Sequence, residues 1–273
     1  MNETLTSDCE HCFGLCCVAL PYAKSADFPF HKDGGEPCRN LLSDNRCKVH
    51  HELREKGFHG CVSYECFGAG QHVSQKMYGG RDWRGQSELR KEMFAVFPLI
   101  QQLYEMLWYL TQALSLNETK PIHAELKQLY ERTVELTLNA PNEIIQLGID
   151  MHRSKVNKLL IETSELYRRN QANKHEKKSK RSFDYMGADL RGRNFHGSNF
   201  RGVLLIAANL SYADLRKVDF IGADLRDANL EFADLSDALF LTQAQINSAK
   251  GNIATKIPDF LVRPHHWLAQ SDK

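Results

Sequence analysis

All eight cysteines of this 273-residue chain fall between Cys9 and Cys66, and the remainder contains none. Their spacing is Cys9-x2-Cys12-x3-Cys16-Cys17, followed by Cys38, Cys47, Cys61 and Cys66. Six of the twelve histidines share the stretch: His11, His31, His50, His51, His59 and His72. Cysteine used merely as a small buried hydrophobe would be scattered. Soft thiolates and imidazoles at this density are what a zinc or iron–sulfur site requires. Eight thiols suit two tetrahedral zinc sites, or one four-cysteine cluster plus a second site. Neighbouring side chains diverge, so Cys16 and Cys17 do not comfortably serve one tetrahedral ion: they ligate two sites, or one ligates while the other packs. Cys9, Cys12, Cys16 and Cys17 lead the ligand candidates, because close ligands lose least chain entropy when they close on an ion. Cys38, Cys47, Cys61 and Cys66 follow, and the histidines come last.

A disulfide framework is the rival reading, since the count is even and the stretch short. The start of the chain has no basic n-region and no apolar run, so no signal peptide is expected, and no stretch approaches the ~18 apolar residues of a membrane span. A cytoplasmic chain keeps its thiols reduced, which favours ligands over disulfides. Thirty-five basic against thirty-four acidic residues point to no polyanion or membrane as partner. One stretch departs from this balance: 153–181 holds ten Lys or Arg against three Glu. Its last part, 173–182, reads as a solvated linker rather than a nucleic-acid contact.

The elements that follow the cysteines divide in two. Between 88 and 170, three amphipathic segments with short links suggest a small helical bundle. The first carries Met93, Phe97, Ile100, Leu103, Tyr104 and Leu107, with Pro98 marking a kink or break. The second runs from Ile122 to Leu138. The third runs to about Asn170 from Pro141, well placed as a first helical residue. Core packing explains these apolar faces; a homodimer seam is the alternative.

From Tyr185 to Phe240 every fifth residue is large and apolar, twelve times without a miss. Two places earlier stands a small or branched residue such as Ala208, Ala213 or Val218, and between them usually Asp or Asn. A period of five fits neither the helix nor the strand repeat. It suits a solenoid whose large and small positions point inward while Arg201, Arg216 and Arg226 face solvent. Ala223-Asp-Leu-Arg-Asp and Ala228-Asn-Leu-Glu-Phe resemble the pentapeptide-repeat family, which implies a right-handed quadrilateral β-helix of three coils, about 14 Å long at ~4.8 Å per coil. Thr242 to Ala249, closed by Gly251, reads as a short capping helix.

The cysteine stretch resembles the zinc- or iron-chelating cluster family of the YkgJ type, in Cys9-x2-Cys12-x3-Cys16-Cys17 and in 38–66. The resemblance implies a bound metal. The expected fold is therefore multi-domain α+β: a Cys-rich metal module (1–80), a helical bundle (86–172), the basic linker (173–182), the repeat β-helix (183–241), and a capping helix with tail (242–273).

Three functions compete. In the first, a cytoplasmic metal-binding scaffold or metal- and redox-responsive module holds zinc or iron, or an iron–sulfur cluster, and contacts a protein partner through the β-helix surface. The second is a metal-dependent enzyme, since an iron–sulfur protein methylase has a similar cluster; no nucleophile–base pair or phosphate-binding loop supports it. The third is DNA mimicry, as in pentapeptide-repeat proteins that protect gyrase. A 14 Å mimic needs about eight negative charges, at one per ~1.7 Å. The repeats carry nine acidic and six basic residues, a net of minus three. Neither membrane nor nucleic acid is expected as a partner.

Overall fold

A computed structural model describes residues 5–169 and 183–268. The expected basic linker, 173–182, lies outside the described residues. The chain forms two compact units: Met1–Ser115 with Lys120–Leu160, and Leu116–Thr119 with Ile161–Lys273.

The first unit begins with short pieces: helix α1 (Leu15–Ala19), α2 (His59–Val62) and α3 (Ala69–Gln71), the last running on into a π-turn over His72–Met77. The long helices follow: α4 (Ser87–Ser115), α5 (His123–Thr137), α6 (Pro141–Leu147) and α7 (Asp150–Arg168). Residues of α7 up to Leu160 belong to this unit and the rest to the second. Helix α4 buries Met93, Val96, Phe97, Ile100, Leu103, Leu107 and Leu110 at helical spacing, and α5 adds Leu126, Thr133 and Leu136. Pro98 does not break α4, which continues through it. An interior proline costs ~3 kcal/mol. Full burial of Val96, Phe97 and Ile100, at roughly 2 kcal/mol each, outweighs that.

The segment expected as one helix from Pro141 is two. Pro141 does open α6, with Glu143 accepting from the Ala140 amide at 3.2 Å, but Gly148 (φ 65°) ends it before Asp150 opens α7.

In the second unit the repeats are present, but the expected β-helix, and with it the α+β class, is corrected. Among the described residues no β-strand forms. Residues 183–241 are a succession of turns tied by single parallel bridges between positions twenty apart, such as Asp189↔Asn209↔Asn229 and Asp214↔Asp234. The reason lies in the corners. In ten consecutive units, the position two past the large residue has positive φ, from Gly187 at 65° to Phe232 at 62°. The turn closes when the next residue donates to the large one, as Val203 N does to Phe200 O at 3.1 Å. A left-handed residue every fifth position leaves one bridging residue per side, too few for a strand.

Inside this stack the five-residue pattern has a mechanical meaning. The large positions from Phe200 to Phe240 are at most 3 % exposed, and the small ones from Ser198 to Ala238 at most 6 %. The Asp or Asn between them accepts from the amide two residues on, as Asn199 does from Arg201 and Asp219 from Ile221 (3.1 and 2.9 Å). Each therefore holds a corner by an Asx turn. Amides also pair with the neighbouring turns, Leu210 N to Asn229 O and Asn209 N to Ala188 O, both 2.8 Å, so the buried backbone is satisfied.

Helix α8 (Gln243–Ser248) covers one end of the stack. Thr242 caps it, and Gln245 Nε2 donates to Phe220 O and Ala223 O at 2.8 and 2.9 Å. Gly251 is not its C-cap: the helix ends at Ala249 in extended conformation. Gly251 is instead the place where Trp267 lies down, since a Cβ there would sit 2.6 Å from the indole. Trp267 is 1 % exposed and donates to Ala249 O at 3.1 Å.

Candidate metal centre

Three short elements carry four of the thiols, and the loops that join and follow them carry the other four. Asp8 caps a single turn at Cys9–His11, accepting from the Glu10 and His11 amides at 3.1 and 3.3 Å. Gly14, at φ 65°, then redirects the chain into α1; a Cβ there would stand 2.6 Å from Leu41 Cδ1, so both conformation and space demand glycine. Leu15 and Val18, both fully buried, anchor α1 and leave Cys16 and Cys17 on its remaining faces. The Cys17 carbonyl accepts from Cys38 N at 2.9 Å, and an antiparallel bridge Leu41↔Cys47 folds the following loop. Cys61 rides on α2, and Cys66 lies three residues before the start of α3, where Ala69 N donates to its carbonyl at 2.9 Å.

On one side, Cys12 and Cys66 converge on Gly70. A Cβ on that glycine would be 2.7 Å from Cys12 Sγ and 3.7 Å from Cys66 Sγ. Ser7 Oγ lies 3.0 Å from Cys66 Sγ. The Cys9–Phe13 loop is held against the π-turn by Phe13 N donating to Ser74 Oγ (3.0 Å) and Gln75 Nε2 donating to His11 O (2.9 Å). Burial pushes the Cys12 thiol up to about 12, and neighbouring Cys16 and Cys66 add to the shift. Cys9 is raised in the same way, with Cys16, Cys66 and Cys12 as its thiol neighbours.

On the other side stand Cys38, Cys47 and Cys61, with Cys17. Tyr22 donates to Cys38 Sγ at 3.3 Å and stacks on Phe28 at 4.2 Å. Phe28 lies against Gly60, where any Cβ would run into its ring. Burial raises Cys61 to about 12, with Cys16, Cys38 and Cys47 contributing, and it raises Cys47. Cys16 joins the two sides: contact with the Cys17 side chain, then burial, pushes its thiol well up.

All eight cysteines are free thiols. Among the described residues, no group of three or more Cys, His, Asp or Glu is set as it stands to hold a metal ion. The donor set nevertheless suits zinc or iron in kind: soft sulfurs on residues that are half-buried except for buried Cys38 and exposed Cys9, and close enough to disfavour one another's ionisation. Three of the histidines are engaged elsewhere. His11 Nδ1 is 2.7 Å from Asp8 Oδ2, His31 Nδ1 accepts from Lys24 N at 3.3 Å, and buried His72 lies between Tyr104 OH (2.7 Å) and Thr137 O (2.9 Å). The sequence reading missed Lys32, whose Nζ donates at 3.0 Å to each of three carbonyls, those of Val18, Asp33 and Glu36.

Comparison with known proteins agrees with the repeat pattern. The family model for pentapeptide repeats matches in eight copies, over residues 186–222 and 205–240. An uncharacterized protein of Bacillus subtilis (strain 168), YybG, is 56 % identical over 268 residues, covering 98 % of this chain and 96 % of its own length. In the described residues no helix is long and apolar enough to cross a membrane.

Proposed function

The chain belongs to the same family as YybG of Bacillus subtilis and carries pentapeptide repeats, and on that premise we propose that it is a scaffold whose thiol-rich unit takes up zinc or iron while the outer face of its repeats docks a protein partner. The observation that carries this reading is a set of eight free thiols that are one another's neighbours, with Cys16 on α1 acting on Cys9 and Cys12 as well as on Cys47 and Cys61. The resemblance of 9–66 to the YkgJ-type cluster supports it. Bound metal would replace the protons that these buried thiols otherwise keep, and it would supply the cross-links that a loop-rich segment lacks. A cytoplasmic setting, where thiols stay reduced, is part of the proposal.

The test is anaerobic purification followed by elemental analysis and an absorption spectrum. Stoichiometric zinc without colour, or iron with thiolate charge-transfer absorption, supports the reading. Eight thiols that all titrate freely in a fully folded, metal-free protein would overturn it.

A further inference from the structure

The corners of the repeat stack need a left-handed residue, and glycine fills that place at Gly187, Gly192, Gly197, Gly202 and Gly222. At one corner two aromatic residues take it instead. Tyr212 and Phe232 stand at φ 60° and 62°, a conformation that disfavours L-residues and bulky ones above all. Neither gains burial in return: they are 59 % and 46 % exposed. Strain kept at an exposed place points to a function there. The two rings stack on each other, 4.6 Å apart and 6° from parallel. The third place in the same column is Gly192, where a Cβ would meet nothing within 4 Å. Backbone hydrogen bonds fix the column: Gly192 N donates to Ser211 O at 2.8 Å and Tyr212 N to Glu231 O at 2.9 Å. Beside it runs a second column of exposed Arg191, buried Ser211 and half-buried Glu231, basic at one end and acidic at the other. Among the described residues neither Arg191 nor Glu231 forms an ion pair.

We propose that this corner seats a second copy of the chain, packed antiparallel about a two-fold axis through Tyr212. A two-fold interface brings residue i against j and j against i. Turned end for end about the middle turn, the first turn of one copy meets the third turn of the other. Phe232 of each copy then covers the open place over the other's Gly192, Tyr212 packs against its counterpart, and Arg191 meets Glu231 at both ends. The strained rings recover apolar contact, and the two charges find partners. A parallel arrangement would set Arg191 against Arg191 and leave the place over Gly192 empty, so the charge pattern selects the antiparallel register. Three turns at ~4.8 Å give a contact about 14 Å long, at the small end of specific interfaces, so the dimer is weak and concentration-dependent. The proposal deepens the docking half of the reading above by naming what one corner docks, and it needs no bound metal.

The experiment is sedimentation of the full, reduced chain from micromolar to near-millimolar concentration. Wild-type protein should pass from monomer to dimer. Phe232→Gly and Tyr212→Gly return the corner to the residue that the stack uses there elsewhere, so both should keep the fold and weaken dimerisation at least ~10-fold. Arg191→Glu and Glu231→Arg should each weaken it too, because both ends then oppose like charges. Mixed in equal amounts, these two variants should associate again, since each end of the mixed pair joins opposite charges. A wild-type chain that stays monomeric throughout, glycine variants that dimerise like wild type, or a mixture that associates no better than its components each overturns the proposal. Docking of a different protein by the repeats would survive that outcome. Metal content, read by elemental analysis on the same samples, tests the other half of the reading separately.

Discussion

The thiol-bearing stretch and the repeat stack solve the same problem, a small core, by opposite means. In the stack every five residues repeat one solution: an inward large side chain, an inward small one, an Asx-held corner and amides paired to the turns on either side. Each turn depends on its neighbours, so stability is spread along the chain. Around α1 nothing repeats. Single contacts between distant residues, such as Phe13 with Ser74 or Cys12 against Gly70, position everything, and the burial they achieve surrounds groups that prefer to stay protonated. One region is stable by redundancy; the other is built around sulfur and, on the proposed function, depends on what the sulfur binds.

If the thiols hold metal as proposed, that contrast is sharpest when the metal is taken away. Ligation contributes ~10 kcal/mol or more to small thiolate sites. Chelation, or Cys12→Ser, should therefore open residues 5–83 to hydrogen exchange and protease while 183–268 stay protected. Peptide-resolved exchange measures both in one sample. Equal protection of the thiol loops before and after chelation would remove the distinction.

A cavity in the stack should act the other way round. Phe220 is fully buried and meets Phe200 edge-on at 5.9 Å. Phe220→Ala should cost about 3–5 kcal/mol. The loss should appear as faster exchange in turns 200–240, with the thiol loops and their metal content unchanged. If the thiol loops lose protection to the same degree, the two regions are not independently stabilised.

Acid and alkali should separate the regions as well. In the metal-free protein Cys12 and Cys61 have thiols raised to about 12 by burial. Their contribution is complete below the unfolded value of about 8.5 and is lost as pH climbs from there toward 12. In the stack the sign reverses. The Arg216 side chain hydrogen-bonds Asp214 and lowers its pKa. Asp224 and Asp234 are lowered too: burial opposes the shift and is outweighed by hydrogen bonds from Arg226 to the first, and from Ser236 and Lys256 to the second. Their contribution is present above an unfolded value of about 4 and is lost as pH falls below it. Measured against the metal-free chain at neutral pH, the protection still left in the thiol loops should thus fall most at pH 10, and that of the stack most at pH 3. Both regions loosening first at the same end of the pH scale contradicts this.

The two regions also differed in how far the sequence disclosed them. The inward positions of the stack and the cap at Thr242 were readable because a strict period leaves the same packing signal twelve times. The absence of strands was not read, although its signal is present: Gly187, Gly192, Gly197, Gly202 and Gly222 all stand two past a large residue, where the corner needs positive φ. Gly251 was misread because an indole sixteen residues later, and no local turn, is what requires it. The cysteines were legible as a set, but their neighbours were not. Whether Cys12 meets Cys66 or Cys38 depends on non-local packing. The cage around Lys32 is made of backbone carbonyls, which no side-chain motif encodes.

The smallest expected effect tests that corner rule directly. Gly202 and Ala207 occupy the same position in successive units, with φ of 66° and 55°. A Cβ at Gly202 would meet nothing within 4 Å, so Gly202→Ala isolates the backbone term. A left-handed conformation costs an L-residue roughly 1–2 kcal/mol, while alanine gains ~0.5–1 kcal/mol by restricting the unfolded chain. The net loss should be about 0.5–1 kcal/mol. Ala207→Gly reverses both terms at an exposed corner and should stabilise the stack by a similar amount. Urea midpoints of the stack transition measure both. Opposite shifts of comparable size would show that the corners, through their backbone geometry, set the register of the repeats. Shifts of the same sign would assign that role to the buried ladder of large residues, with the corners merely following it.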